Sequence, residues 1–445
     1  MTFSRNHSFL WSGATLRATA VAALLIAGAS LTACSAEDGQ TVVRVPQDAP
    51  TISDAIEAVP EGGLVLVSPG TYAEEVLIDK PGVTLRGENR NTVIIDAEGK
   101  RPYGIVGVEE GITIENLTTT GATFYGVLIT GMYTEDGPIA RDSGGYADVN
   151  PEEFPPVQRF LIDHVTATNN GLYGIYAFDA QNGVIRNSYA SGSSDSGFYV
   201  GQCRECAILV ENNIALNNAV GFENANASDS VWVVNNDFSG NRIGMTFLSD
   251  YQEAFTPQRA NWVAGNIIAA NVSEDSPAHA QGGWGVGIGL SGATENLFEW
   301  NLIVDNPVAG VTLANAEDLA VTGNVFNENR FQDNGVDLLN VSSSRAPAQS
   351  NCILGDESLD GLRVTTMPNA FLDDCEGTQP AVGNEYVTPN APPGVSYLKV
   401  AKPPKQESLS VSASVPKPLP DVITRPDTST IHRTESTVSP SMKQN

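Results

Sequence analysis

Apolar and polar residues alternate in short runs that return about every 23 residues through the middle of the chain. A glycine followed by an apolar or aromatic residue opens each run: GIYAF at Gly174, GFYVG at Gly197, GFENA at Gly221 and GMTFL at Gly244, at spacings of 23, 24 and 23. A second unit, an apolar pair flanking asparagine, keeps the same phase, as VIRNSYA around Asn187, ILVENNIA around Asn212 and Asn213, and WVVNNDFS around Asn235 and Asn236. Alternation with period 2 predicts strands. A repeat this short has no room for a helix, so each repeat predicts one coil of a β-solenoid.

Stacking the repeats assigns columns of side chains. One position after each glycine, Ile175, Phe198, Phe222 and Met245 point inward and build the core. Two positions after it, Tyr176, Tyr199, Glu223 and Thr246 point outward, and coils about 4.8 Å apart make them a ladder. Asp179, Gln202, Asn226 and Ser249 follow at the fifth position, and Asp195 and Arg242 lie two positions before their own glycines. Asn187, Asn212, Asn235, Asn301 and Asn324 recur at coil spacing, which predicts turn positions whose amides hydrogen-bond along the axis.

Upstream, Thr41 to Pro46 reads as a strand, and Thr51-Ile52-Ser53-Asp54 resembles a capping box opening a short helix through Val59. Such a helix would cover the open edge of the first coil. The stretch TISDAIEAVPEGGLVLVSPGTYAEEVLIDKPGVTLRGENRNTVII resembles the N-terminal part of right-handed parallel β-helix proteins of the pectin-lyase-like superfamily. The resemblance runs from about Thr41 to about Val341, with later repeats at Gly287, Gly310 and Gly335. It implies an all-β fold, a right-handed parallel β-helix solenoid with an N-terminal capping helix, and we take the β-helix domain as residues 41–377. The superfamily includes pectate lyases, pectin methylesterases, alginate epimerases and periplasmic proteins of copper-site maturation, so the resemblance leaves the activity open. The chain contains no Arg-x-Pro-x-x-Arg run, no Gln-Asp-Thr or Phe-Gly-Asn-Ala motif and no Asp-Pro-His-Asp site. Ile162-Asp163-His164 resembles an Ile-Asp-His sequence of pectate lyases, but Asp163 falls in the phase of Asn187, which predicts a structural ladder position.

The ends differ from the body. Residues 1–33 read as a secretory signal: Arg5 and Arg17, then the apolar stretch from Ala20 to Ala27, too short to span a bilayer. Leu31-Thr32-Ala33-Cys34 matches the bacterial lipobox, which predicts lipidation at Cys34 and an anchor on the extracytoplasmic face of the cell membrane, with residues 34–40 as spacer. From residue 378 to 445 Pro, Ser, Thr and Lys dominate without period, which predicts a disordered tail. Discounting the basic ends, residues 34–398 carry −33 of the total of −28. A body that acidic excludes nucleic acid and disfavours polyuronates unless a divalent cation bridges them. Neutral glycans, cationic ligands or Ca²⁺ suit it better.

Cysteine usage fits an exported protein. Cys352 and Cys375 stand one repeat apart, a spacing that stacking can bring into register for a disulfide. Cys203-Arg204-Glu205-Cys206 matches C-x-x-C but lies inside the β repeat, where a local disulfide or two buried thiols explains it better than a redox motif. Gly287 to Gly292 satisfies G-x-G-x-x-G, yet its glycines belong to the coil repeat and no helix pattern follows.

Candidate chemistry gathers at the outward ladder and at long insertions, which project from a regular solenoid and tend to carry function. Insertions cover 131–157, 249–261 and 273–286. Tyr176, Tyr199, Gln202, Tyr251 and Trp284 are candidate substrate-binding residues, with aromatic faces for pyranose rings and amides for hydroxyls. Asp195, Glu223, Asp250 and His279 are the candidate catalytic residues: carboxylates one or two coils apart reach the separations of paired-carboxylate hydrolysis, and two loops can bring His279 toward Asp250. The sequence therefore supports a membrane-anchored β-helix lipoprotein that binds a polysaccharide, and leaves open whether it also modifies it. A lyase, epimerase or hydrolase, or a non-catalytic envelope scaffold contacting a protein partner, are the alternatives.

Overall fold

The computed structural model describes residues 41–139, 152–355, 364–366 and 389–433. The coils wind into a right-handed parallel β-helix with three faces. One face is a 12-stranded sheet running from Val42–Val45 to Cys352–Leu354, and a second is an 11-stranded sheet from Val76–Ile78 to Val364–Thr366. The third is split into six-stranded and three-stranded parts, joined through single bridges at Asp237. Every pairing among these strands is between consecutive coils and parallel, as one strand per face per repeat requires.

The register follows the sequence columns. Ile175 pairs with Phe198, Phe198 with Phe222, Phe222 with Met245 and Met245 with Ile288, and all five are fully buried. The glycine that opens each coil has a steric cause. A Cβ on Gly174 would lie 2.5 Å from the carbonyl oxygen of Gly197, and one on Gly221 would lie 2.5 Å from that of Gly244 and 2.9 Å from the Asn241 amide. The next coil approaches too closely for any side chain there.

Asparagine closes the corners in three ladders. In the first, Asn213, Asn236, Asn266, Asn301 and Asn329 stack, each backbone N–H and side-chain amide donating to the next Oδ1 at 2.8–3.0 Å. The second runs Asn218, Asn241, Asn271, Asn306, Asn334, and the third Asn261, Asn296, Asn324, Asn351. The expected column was therefore one residue off at Asn187, Asn212 and Asn235, and Asn301 and Asn324 belong to two different ladders, the first and the third. Asn187, Asn212 and Asn235 instead occupy the left-handed region, at φ 49°, 54° and 57°, where asparagine is tolerated, and their successors stack. A similar shift applies to Asp163, which pairs with Arg186, so that His164 and not Asp163 shares the phase of Asn187. Asp163 accepts from Arg186, Asn187 and the His164 ring, a structural cluster.

The short helix forms over Ile52–Ala58, with Thr51 Oγ1 accepting from Asp54 N, and buries Ile52, Ala55 and Ile56 in the main core. Cys203 and Cys206 are joined by a disulfide, and both are buried. Cys352 is disulfide-bonded. Cys34 and Cys375 lie outside the described residues.

Residues 389–433 differ from the disorder their composition predicts. They run as an extended strap on the solenoid surface, almost without regular structure of their own. Amide side chains hold their backbone: Asn91 donates to Gln406 O and accepts from its N–H, and Asn235 does the same for Thr430 O and His432 N. Val400, Ile423 and Ile431 are buried, and the Arg425 guanidinium stacks 3.7 Å over Trp262. A weakly hydrophobic segment orders here because the body supplies the partners that its own sequence lacks.

Asn266→Ala removes four buried hydrogen bonds, to Asn236, Val233 and Asn301. It should cost at least about 2 kcal/mol in chemical denaturation, the order expected when buried groups are orphaned. Asn212→Gly, which keeps the left-handed turn, should change stability by less than about 1 kcal/mol.

Candidate functional site

The outward column of the 11-stranded sheet changes size along the axis. In register it reads Leu128, Tyr176, Tyr199, Glu223, Thr246, Gly289, Thr312, Leu339. Bulky residues at both ends and small ones between open a cleft over Glu223, Thr246, Gly289 and Thr312. Segments 250–253 and 279–283, from the second and third insertions, wall it, giving a cavity of about 860 Å³.

Three sequence-predicted residues meet in this cleft. Donor atoms of Asp195, Glu223 and His279 all lie within 4.8 Å of one another. Strand Val220–Ser228 supplies Glu223, the residue before the adjacent strand Ser196–Arg204 supplies Asp195, and the third insertion supplies His279. His279 Nε2 is 3.2 Å from Asp195 Oδ1. Glu223 is more than nine-tenths buried. Thr246 and Ser196 hydroxyls donate to its Oε2 at 3.0 and 3.4 Å, while its Oε1 makes no hydrogen bond among the described residues.

Electrostatics follow from this packing. Burial, and then the negative charge of Asp195, push the Glu223 carboxyl from its ordinary value near 4.5 up to about 8, against the opposing pull of His279 and the two hydroxyls. Burial alone would lower the His279 imidazole. The hydrogen bond and charge of Asp195, with the charge of Glu223, outweigh it and raise the ring above its ordinary value. The site thus sets a buried carboxyl that resists losing its proton beside an imidazole paired with a second carboxyl.

The remaining candidates divide. Asp250 and Tyr251 line the cavity; Tyr251 is 53% exposed and its hydroxyl donates to Asp318 at 2.8 Å. Tyr199 borders it but is buried, its hydroxyl donating at 2.6 Å to Glu253, a buried cavity residue that sequence reasoning missed although it lies in the flagged second insertion. Tyr176 is fully buried and does not reach the cavity. It packs with Tyr125, Tyr173 and Phe178 under Met132, Tyr133, Ile139 and Phe154 of the first insertion. The expected open tyrosine strip is thus a second, covered core. Gln202 is equally buried, accepting from Ala254 N and donating to Met132 Sδ. Trp284 lies outside the cavity lining. Asp179 sits under the first insertion, its carboxyl pushed up to about 7 by burial.

Residues 65–281 match the family model described as periplasmic copper-binding protein (NosD). No curated protein sequence matches the chain. Among solved structures, the A-module of mannuronan C-5 epimerase AlgE6 from Azotobacter vinelandii is 16% identical, with 68% of this chain and 88% of that one covered, at a TM-score of 0.43. A PL6 family polysaccharide lyase from Pseudopedobacter saltans is 12% identical, covering 83% of this chain and 99% of that one, at a TM-score of 0.41. A pectin methylesterase from carrot is 12% identical over 66% and 82%, at 0.35.

The matched family's description raises the question of copper. One imidazole and two carboxylates form a nitrogen and oxygen donor set that fits a borderline divalent ion such as Cu²⁺ or Zn²⁺. It does not suit Cu⁺, which prefers sulfur. Among the described residues Met132 and Met245 are buried in cores, and Cys203, Cys206 and Cys352 are oxidised.

A carboxyl raised to about 8 favours the folded state while protonated, so its contribution is complete below about pH 4.5 and is lost as pH rises through 8. Glu223→Gln, which mimics the protonated form, should melt with the native protein near pH 4.5. It should be more stable at pH 9 by on the order of a few kcal/mol, reduced by the lost attraction to His279. Thermal unfolding across pH checks this.

Proposed function

We propose that this protein is an extracytoplasmic, lipid-anchored β-helix that binds a glycan in the cleft and cleaves it by acid–base chemistry. The observation that carries this reading is the carboxyl pair: Glu223 is buried and raised by burial and by its neighbour Asp195, whose Oδ1 lies 3.2 Å from His279 Nε2. A carboxyl that holds its proton beside a second carboxyl is what proton transfer to a glycosidic oxygen needs. The match to a periplasmic family model and the Cys203–Cys206 disulfide support an oxidising, extracytoplasmic setting.

In this reading the Glu223 proton passes to the leaving oxygen as the glycosidic bond breaks. An Asp195 oxygen attacks the anomeric carbon from the opposite side and forms a glycosyl ester as that bond breaks. Water, giving its proton back to Glu223, then attacks the same carbon, releasing the sugar and the Asp195 carboxylate. The short separation of Glu223 and Asp195, within 4.8 Å, lies near the roughly 5 Å of double-displacement sites and too close to seat a water between them. His279 acts as a positioning residue, because its Nε2 is committed to Asp195 and holds that carboxylate in place. A divalent ion bound by Asp195, Glu223 and His279 would instead supply Lewis acidity at the same point.

Elimination or epimerisation of a uronate is the weaker alternative. Either needs a cation to neutralise the substrate carboxylate, and with no lysine or arginine among the described residues that line the cavity, either would depend wholly on a bound divalent ion.

The test is incubation of the purified protein with a broad set of polysaccharides, followed by mass analysis. Shortened products without unsaturation are expected. Glu223→Gln and Asp195→Asn should each reduce turnover by about 10²–10⁴-fold while binding persists. Gly289→Leu should abolish binding with the fold intact, since a Cβ there meets only ordinary contacts at 3.6 Å. Recovery of one envelope protein with no glycan bound would replace this reading with the scaffold alternative.

A further inference from the structure

We infer that the glycan taken by the cleft is cationic, a polymer containing sugar units with free amines. The inference rests on the reading of the cleft as a glycan site and narrows it to one substrate class.

The cavity is lined by the carboxyls of Asp195, Glu223, Asp250, Glu253 and Glu317 and by the single imidazole of His279, with no lysine or arginine among its described residues. Five carboxyls therefore face one imidazole. A polyuronate would enter against that field, and low-dielectric walls strengthen the field inside a cleft. A neutral sugar would gain nothing from it. An ammonium group gains on entering, and Oε1 of the buried Glu223, which has no hydrogen-bond partner among the described residues, is an acceptor presented to it.

The placement of the charges fits a chain rather than a single unit. Glu223 and Asp195 mark one end of the cleft, while Glu317 is exposed at the coil that carries Thr312, with Thr246 and Gly289 between them in the outward column. Tyr251 adds an exposed ring on the wall between, suited to a pyranose face or an ammonium. The molecule already binds its own cations in this way elsewhere. Arg425 lies 3.7 Å over Trp262 and 3.7 Å from Glu299, and Arg433 lies 4.3 Å over Trp300, whose indole donates to Glu328.

The experiment compares binding of three probes to the full protein by calorimetry: β-1,4-linked glucosamine oligosaccharides, the same oligosaccharides fully N-acetylated, and oligogalacturonate. It is run at mildly acidic pH, where the amines are protonated. We expect the free-amine probe to bind at least about tenfold more tightly than the acetylated one and to weaken with added salt. Oligogalacturonate should not bind. Glu317→Gln, at an exposed position outside the reacting pair, should weaken the free-amine probe by about two- to fivefold, and Glu317→Lys by more. Gly289→Leu should abolish its binding.

Binding that persists in Gly289→Leu places the amine polymer elsewhere on the acidic surface and overturns the inference. Binding that is insensitive to salt and to Glu317 overturns it as well. Preference for the acetylated probe or for the uronate overturns it too, while leaving the glycan reading of the cleft standing. No binding of these probes, together with no hit on the broader polysaccharide set, removes both.

Discussion

Everything in this molecule depends on satisfying the backbone where each coil turns from one face to the next. Strands pair with the coils above and below, but the corners point their amides into the interior, where an unpaired N–H costs as much as a lost core contact. The asparagine ladders solve this at all three corners. Each Oδ1 takes a backbone N–H from the coil before it, and most of the amides return a hydrogen to a backbone carbonyl. A side chain that can both donate and accept within the distance between coils is required, and asparagine is the residue of that length. Where the ladder begins, Ser188 stands in its place and gives its backbone N–H to Asn213.

The ladders fix the distance between coils, and this fixed pitch lets side-chain size alone create a binding site. With the backbone held, replacing Tyr199 by Glu223, Thr246 and Gly289 in successive coils lowers the surface of the sheet without moving it. The insertions then divide the labour. One covers the tyrosines and turns them into core, and the other two wall the depression and bring His279 against Asp195.

The sequence made the coil period, the inward column and the register readable, because a period of 23 with alternation of 2 admits one stacking. It also brought Asp195, Glu223 and His279 forward as candidates. Exposure was not readable. Tyr176 points out of the solenoid as expected and is nonetheless buried, since what covers it comes from an insertion with no period to place it. The paired asparagines were legible as turns, but which of the two stacks depends on which adopts φ near +55°, a backbone choice that spacing does not encode. Glu253 escaped for a simpler reason: nothing in YQEAF distinguishes a carboxylate folded onto Tyr199 from a solvated one.

The strap has a consequence for how the molecule comes apart. A solenoid held only by neighbouring coils can fray from either end, one coil at a time. Here the chain leaves Ser276 at Val395, reaches back to Asn169 at Val400 and to Asn91 at Gln406, then crosses Arg86 at Ser412 and returns to Trp262 and Trp300 at Arg425 and Arg433. Coils far apart along the axis are stitched by one thread that doubles back on itself. Loosening any coil beneath it also strands contacts several coils away, so the strap converts a stack that would melt piecemeal into a body that opens in fewer and larger steps.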